Sequence, residues 1–237
     1  MSQADPQIPI FELLPAFEEE TGVRVRPRRV AQAVLDERTP QGAGLRLLAN
    51  RVRALGRDKR LRRVGVVGSA QGEGATSVAL GLAHALAAEP RQRVLYLELD
   101  LKRPAADREL GLPAPAVGVT QFLEGLSEVP VLRHPSGGFW VLSGGRARPR
   151  PLEPDKAARL PRLLNAADRV FDFVIGDCPP LLPDAEGVLL QDLFDGFVFV
   201  VRSRRTPLEV VRRAARMLRQ DAVVGFVLNA QRDLLGR

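Results

Sequence analysis

A doubly wound, mainly parallel α/β sheet flanked by helices is the fold this sequence predicts, and three observations predict it. Short runs that are almost wholly apolar recur from Val64 onward, as strands buried on both faces require. Segments with helical spacing alternate with them, the order of a sheet built with crossover helices. A small-residue loop with glycines at Gly68, Gly72 and Gly74 joins the first such run to the first helical segment.

Residues 1–40 read as a partly ordered extension, because Pro15 interrupts "FELLPAFEEE" and Pro27 and Pro40 punctuate the remainder of that stretch. The domain proper is expected over 41–237. Its first helix comes from "QGAGLRLLANRVRAL", where Leu45, Leu48, Val52 and Leu55 fall at helical spacing. Strands are expected at Val64–Val67, Val94–Leu99, Phe139–Leu142, Phe171–Gly176, Phe197–Val201 and Val223–Leu228. Helices are expected at Thr76–Ala88, Lys156–Ala167, Ala185–Leu193 and Leu208–Gln220. "PAPAVGVTQFLEGL" and "GGRARPRPLEP" read as the longer irregular pieces, and no internal repeat is visible.

The 237 residues, 45% apolar, suffice for one α/β core. No run approaches the roughly 18–20 apolar residues of a membrane span. The start, "MSQADPQIPIFELL", lacks the basic and apolar regions of a signal peptide. The single cysteine, Cys178, excludes an internal disulfide and fits a reducing compartment. A soluble cytoplasmic protein is the expectation. The net charge of +7 invites a nucleic-acid reading. The arginine bias argues against it: Lys59, Lys102 and Lys156 are the only lysines. The runs Arg24–Arg29 and Arg57–Arg63 read as solvated basic surface, with phosphates or acidic lipid headgroups as the alternative.

A strand, a glycine loop and a helix N-terminus in series present backbone N–H groups to phosphate oxygens. Gly72 and Gly74 let the backbone turn and approach a ligand closely. Thr76 stands where the magnesium-ligating hydroxyl of such loops lies. The usual G-x-x-x-x-G-K-[ST] reads here Ser69 to Thr76, without the first glycine and with Ala75 in place of lysine. Two later segments bring acids to the same sheet edge, where ligands collect in open α/β folds. "RVLYLELDLKRP" ends a strand with Glu98 and Asp100, followed by Lys102 and Arg103. "FDFVIGDCPPLL" ends another with Asp177.

With these motifs in order, the chain resembles the bacterial tyrosine kinases of polysaccharide synthesis, within the ParA/MinD-type P-loop ATPases. The likeness runs through "GEGATS", "ELDLKRP", "FDFVIGDCPP", "GVTQFLEG", "FWVLSGG" and "VVGFVLN", over roughly residues 40–230. The resemblance implies that Gly72, Glu73, Gly74, Ala75, Thr76 and Ser77 hold the phosphates of ATP or ADP. It implies that Thr76, Asp100 and Asp177 place Mg²⁺, that Asp100 is the base toward a tyrosine hydroxyl, and that Asn229 lies near the adenine. The ordinary alternatives are Asp100 as a cap and Asn229 as a turn residue.

The departures bear on catalysis. Ala75 replaces the lysine, and Glu98 replaces the family's first aspartate in its D-x-D motif. The E-x-x-R-x-x-R of the family's subunit-contact helix falls on Ala43, Arg46 and Ala49, so any oligomer would rest on an eroded contact helix. The family's tyrosine-rich tail has no counterpart in "NAQRDLLGR", and Tyr96 sits mid-strand. Losing one charge-assisted hydrogen bond costs about 1.5–3 kcal/mol, roughly ten- to a hundredfold in affinity. A cation at the transferring phosphoryl group is worth on the order of 10³-fold or more in rate. Nucleotide binding that is weak or absent, with transfer lost, is therefore the expectation: a pseudokinase working through protein contacts in capsule or exopolysaccharide synthesis and export. The partner implied by the resemblance is the cytoplasmic tail of a membrane chain-length or export protein, which would hold the chain peripherally at the inner membrane. The first alternative is an active tyrosine kinase or ATPase whose missing cation comes from Lys102, Arg103 or Arg204. The second is a partitioning-type ATPase that binds DNA through Arg202, Arg204 and Arg205.

Overall fold

Six parallel strands form the sheet of the computed structural model, which describes residues 27–59, 61–113, 117–126, 132–133, 138–148, 150, 153–183 and 186–230. The strands are β1 (Arg63–Gly68), β2 (Val94–Glu98), β4 (Trp140–Leu142), β5 (Phe173–Asp177), β6 (Gly196–Arg202) and β7 (Val223–Asn229). A two-residue strand, β3 (Leu132–Arg133), pairs antiparallel with β4 at one edge. The order is β3-β4-β2-β5-β1-β6-β7, so β1 lies between β5 and β6. All six expected strands are present within two residues of their expected ends.

The apolar runs become strands because helices cover both faces. On one face lie α1 (Arg29–Leu35), α2 (Pro40–Lys59) and α3 (Ala75–Ala87), packed on Val64, Val66, Tyr96, Ile175 and Val198. The α3 sequence, "ATSVALGLAHALA", is apolar nearly all round because it is sandwiched between the sheet and α1 and α2. Gly81 permits that approach: a Cβ there would press on Leu45 and Val34. Arg53 of α2 ties the layers together by donating to the Ala85 and Leu86 carbonyls, at 2.8 and 3.0 Å, at the C-terminal end of α3.

The opposite face carries Leu95, Leu97, Val174, Phe197 and Phe199. Over it lie α5 (Val119–Leu123), α7 (Leu160–Val170) and α9 (Leu208–Ala215), with the short helices α6 (Pro154–Ala157) and α8 (Glu186–Leu189) in the connections, whereas the short α4 (Ala106–Leu110) buries Ala106 and Leu110 on the first face.

Three helices depart from expectation. The span Lys156–Ala167 is split between α6 and α7, because Pro161 stands in the first turn of α7 and cannot continue a helix from before it. Ala185–Leu193 becomes α8 and a 3₁₀ turn at Gln191–Leu193, with Ala185 itself outside the described residues. Leu208–Gln220 stops at Ala215, where the chain tightens and turns Leu218 into the core. The piece "PAPAVGVTQFLEGL", expected to be irregular, contains α5. Within the 1–40 extension, α1 packs on α3 through buried Ala31 and Val34, so the folded body reaches back past residue 41. Residues 1–26 and the last seven lie outside the described residues. On α2, Arg46 is exposed and pairs with Glu37 at 3.4 Å, while Ala49 is wholly buried.

Candidate functional site

The carboxyl ends of β1, β2, β5, β6 and β7 converge on the loop between β1 and α3. Register pairs Glu98 with Asp177, and Val66 with Asp177, so the three acid-bearing or glycine-bearing strand ends are neighbours. The segment after β5 runs alongside the loop: Leu181 and Leu182 donate to the Gly68 and Ser69 carbonyls at 3.0 and 2.9 Å.

Gly72 and Gly74 both adopt left-handed backbone, with φ of 81° and 96°. Only glycine takes such angles without strain. Gly74 then serves as the N-cap of α3 without a side-chain cap, which leaves the first-turn N–H groups at Ala75, Thr76 and Ser77 available to an anion. A Cβ at Gly74 would also strike the Asn229 amide.

The loop is braced by protein groups. Glu73 is buried, and its carboxylate accepts the N–H groups of Ser69 and Ala70 at 2.5 and 3.2 Å. Its other oxygen accepts the Thr206 hydroxyl at 2.6 Å. Asn229, at the end of β7, donates its amide to the Glu73 carbonyl at 2.8 Å. Arg202, at the end of β6, donates to the Gly72 carbonyl at 3.0 Å. Arg103 donates to the Gln71 side chain.

Two buried acids close the floor. Asp177 accepts a hydrogen bond from the Tyr96 hydroxyl at 2.8 Å and one from the Thr76 side chain. Burial, and then the neighbouring Glu98 charge, push its carboxyl up to about 7, against the pull of the two hydroxyls. Asp177 also fixes Asp100 beside it, because its carbonyl accepts the N–H groups of Leu99 and Asp100 at 2.8 and 3.1 Å. Arg103 stands 4.0 Å from the Asp100 carboxylate. Glu98 is differently placed. Its oxygens accept three backbone N–H groups, from Ala105, Ala106 and Gly144, at 2.5, 2.8 and 2.8 Å. Burial still raises its carboxyl above the usual range, with those three donors opposing the rise.

The expected residues thus fall into two sets. Gly72, Glu73, Gly74, Ala75, Thr76, Ser77, Asp100, Asp177 and Asn229 share one sheet edge. Of the three cations considered as substitutes for lysine, Arg103 touches the loop. Lys102 lines a cavity with Leu99, Leu101, Arg148 and Pro179, and Arg204 is an exposed turn residue at φ 59°. Ala75 is half-buried against the core. Sequence reasoning missed the loop contacts of Arg202 and Thr206; the signal was the place of Arg202 at the end of an apolar strand, with Thr206 in the turn that follows. It also placed Tyr96 in a strand without anticipating its bond to Asp177.

The residues fit a magnesium nucleotide in kind. Thr76, Asp100 and Asp177 offer an all-oxygen donor set, which suits Mg²⁺, and the glycine-bounded N-terminus of α3 suits phosphate. Among the described residues no cluster of three His, Cys, Asp or Glu side chains is assembled for a metal.

No family model matches the chain. It is 27% identical over 179 residues to the tyrosine-protein kinase YwqD of Bacillus subtilis, covering 74% of this chain and 75% of that protein. It is 29% identical over 168 residues to the tyrosine-protein kinase etk of Escherichia coli K12, covering 69% of this chain and 23% of that protein. It is 27% identical over 175 residues to the succinoglycan biosynthesis transport protein ExoP of Rhizobium meliloti, covering 71% of this chain and 22% of that protein. The chain therefore spans three quarters of one relative and under a quarter of the other two. Among solved structures, the kinase domain of E. coli ETK superposes with a TM-score of 0.73 at 24% identity, over 86% of this chain and 82% of that one. The septum site-determining protein MinD of Pyrococcus horikoshii, with Mg-ADP, gives 0.58 at 18% identity, over 73% and 72%. The fold is that of these P-loop proteins.

Proposed function

From its homology to the bacterial tyrosine kinases we propose that this chain is a pseudokinase of capsular or exopolysaccharide synthesis and export, acting through protein contacts that nucleotide modulates weakly or not at all. The observation that carries the reading is Ala75. At the first position of α3 its methyl packs on the core, so the helix brings no cation to the loop. Main-chain amides and the Thr76, Asp100 and Asp177 oxygens would hold Mg²⁺ and ATP or ADP, with the magnesium supplying charge neutralisation at the phosphates. Without a cation at the transferring group the rate falls by on the order of 10³-fold or more.

A second feature supports the reading. Tyr96 is the chain's one tyrosine, wholly buried and bonded to Asp177. Tyr96 is therefore not placed to act as a phosphoacceptor. ExoP is named as a transport protein of succinoglycan biosynthesis. Among the described residues no helix is long and apolar enough to cross a membrane. The partner we propose is the cytoplasmic tail of a membrane chain-length or export protein, with the chain held peripherally at the inner membrane.

Calorimetric titration of Mg-ATP and Mg-ADP, with tyrosine phosphorylation of a partner tail followed in parallel, tests this. Weak or no binding and no transfer is the expected result. Transfer that is lost in Asp100→Ala would overturn it.

One observation favours a second reading, an active kinase or ATPase with a relocated cation: Arg202 and Arg103 already touch the loop. In that case Arg202→Ala or Arg103→Ala abolishes activity and Ala75→Lys adds nothing. If Ala75→Lys instead raises affinity about tenfold or more, the lysine had no substitute.

A further inference from the structure

The segment 202–220 carries seven arginines and one acid, Glu209. It forms the end of β6, an exposed turn, and α9. Helix α9 buries Val211 and Ala214 against the sheet and turns Leu208, Arg212, Arg213 and Arg216 outward. Leu208, Arg212 and Arg216 follow one another at intervals of four, a single row along the helix. Next to β6 runs β7, the last strand of the sheet. Phe226 lies over Phe199 with ring centroids 5.4 Å apart, and Phe199 belongs to the same core cluster as Val211 and Ala214. Phe226 therefore emerges on the side of the sheet that α9 covers, and Leu228, two residues on, emerges with it. Leu208, Phe226 and Leu228 are 61%, 56% and 60% exposed, three of the seven large apolar side chains left so exposed among the described residues.

We propose that this face, α9 with the outer side of β7, binds an anionic lipid bilayer directly. Arginines beside exposed leucine and phenylalanine match the boundary between headgroups and acyl chains, where cations meet lipid phosphates and apolar side chains enter the acyl region. A nucleic-acid backbone would engage the arginines and leave the aliphatic Leu208 and Leu228 without a partner. The proposal is independent of nucleotide and of any docking protein.

Co-sedimentation of the full chain with vesicles tests it. Vesicles of phosphatidylcholine with about a third phosphatidylglycerol should capture the protein at moderate salt, and pure phosphatidylcholine should not. Arg212→Glu with Arg216→Glu should weaken capture about tenfold or more. Leu208→Ser with Leu228→Ser should weaken it several-fold at the same salt. Arg51→Glu with Arg57→Glu, exposed on α2 across the sheet, makes the same change in net charge and should leave capture nearly unchanged. Circular dichroism establishes that each variant is folded. No capture by the acidic vesicles overturns the proposal, as does equal loss in the α2 variant. Capture insensitive to the leucine changes and competed away by duplex DNA also overturns it, leaving a surface that reads only charge.

Discussion

Glu98 and Asp177 end adjacent strands, face each other in register and are equally buried, yet they are held in opposite ways. Glu98 is surrounded by main-chain donors: three N–H groups converge on it from the start of α4 and from the loop after β4. Asp177 is held by two side-chain hydroxyls, Tyr96 and Thr76. A carboxylate saturated by backbone cannot release its partners without moving the backbone, so Glu98 is a structural strut. A carboxylate held by hydroxyls can exchange them for other donors or for a cation, because the hydroxyls rotate in place. Two acids that look alike in sequence thus divide the work, one fixing the floor and the other facing the ligand edge.

The sharpest way to break this contrast is Glu98→Ala. It strands two buried N–H groups and one half-buried one, and should cost roughly 3–5 kcal/mol of stability, read as a large fall in the denaturant midpoint. A cost under about 1 kcal/mol would mean that those donors find water and that Glu98 is no strut. Next in size is the pH dependence of Asp177. Its folded carboxyl titrates at about 7 against 3.8 for the free group, so the folded protein keeps a proton that the unfolded chain gives up. Unfolding free energy therefore falls as pH rises across that window, and the penalty is complete above it. Asp177→Asn has no such proton and should remove a slope of at most about 1.4 kcal/mol per pH unit, seen as a difference between the two proteins' unfolding curves from about pH 4 to 8. Parallel curves would sink the assignment. The smallest effect is expected from Tyr96→Phe, at about 1 kcal/mol. Because the lost hydroxyl favours the charged acid, the same variant should move the Asp177 titration further upward. A downward move would show that the hydroxyl does not stabilise the ionised form.

The strands were legible because burial on both faces demands unbroken apolar residues, and "VGVV" or "FVFVV" can serve little else. The sheet edge that gathers Gly72, Thr76, Asp100 and Asp177 followed from motif order alone. The strut role of Glu98 did not, because its partners Ala105, Ala106 and Gly144 meet it only through the tertiary fold. Arg202 was hidden for the same reason: strand order sets β6 against β1, and no spacing in the chain announces that neighbour. Pro161 marks the break before α7, while the apolar pattern on either side of it reads as one continuous helix. Helix α1 was obscured by Pro27 and the flanking arginines, although Ala31, Val34 and Leu35 keep helical spacing.

The loop between β1 and α3 is locked by Glu73, Asn229, Arg202 and Thr206 before any guest arrives. Its segments have little conformational entropy left to surrender, so a guest there would meet a preformed site rather than order one. The heat-capacity change of any occupant should then reflect only the surface it covers.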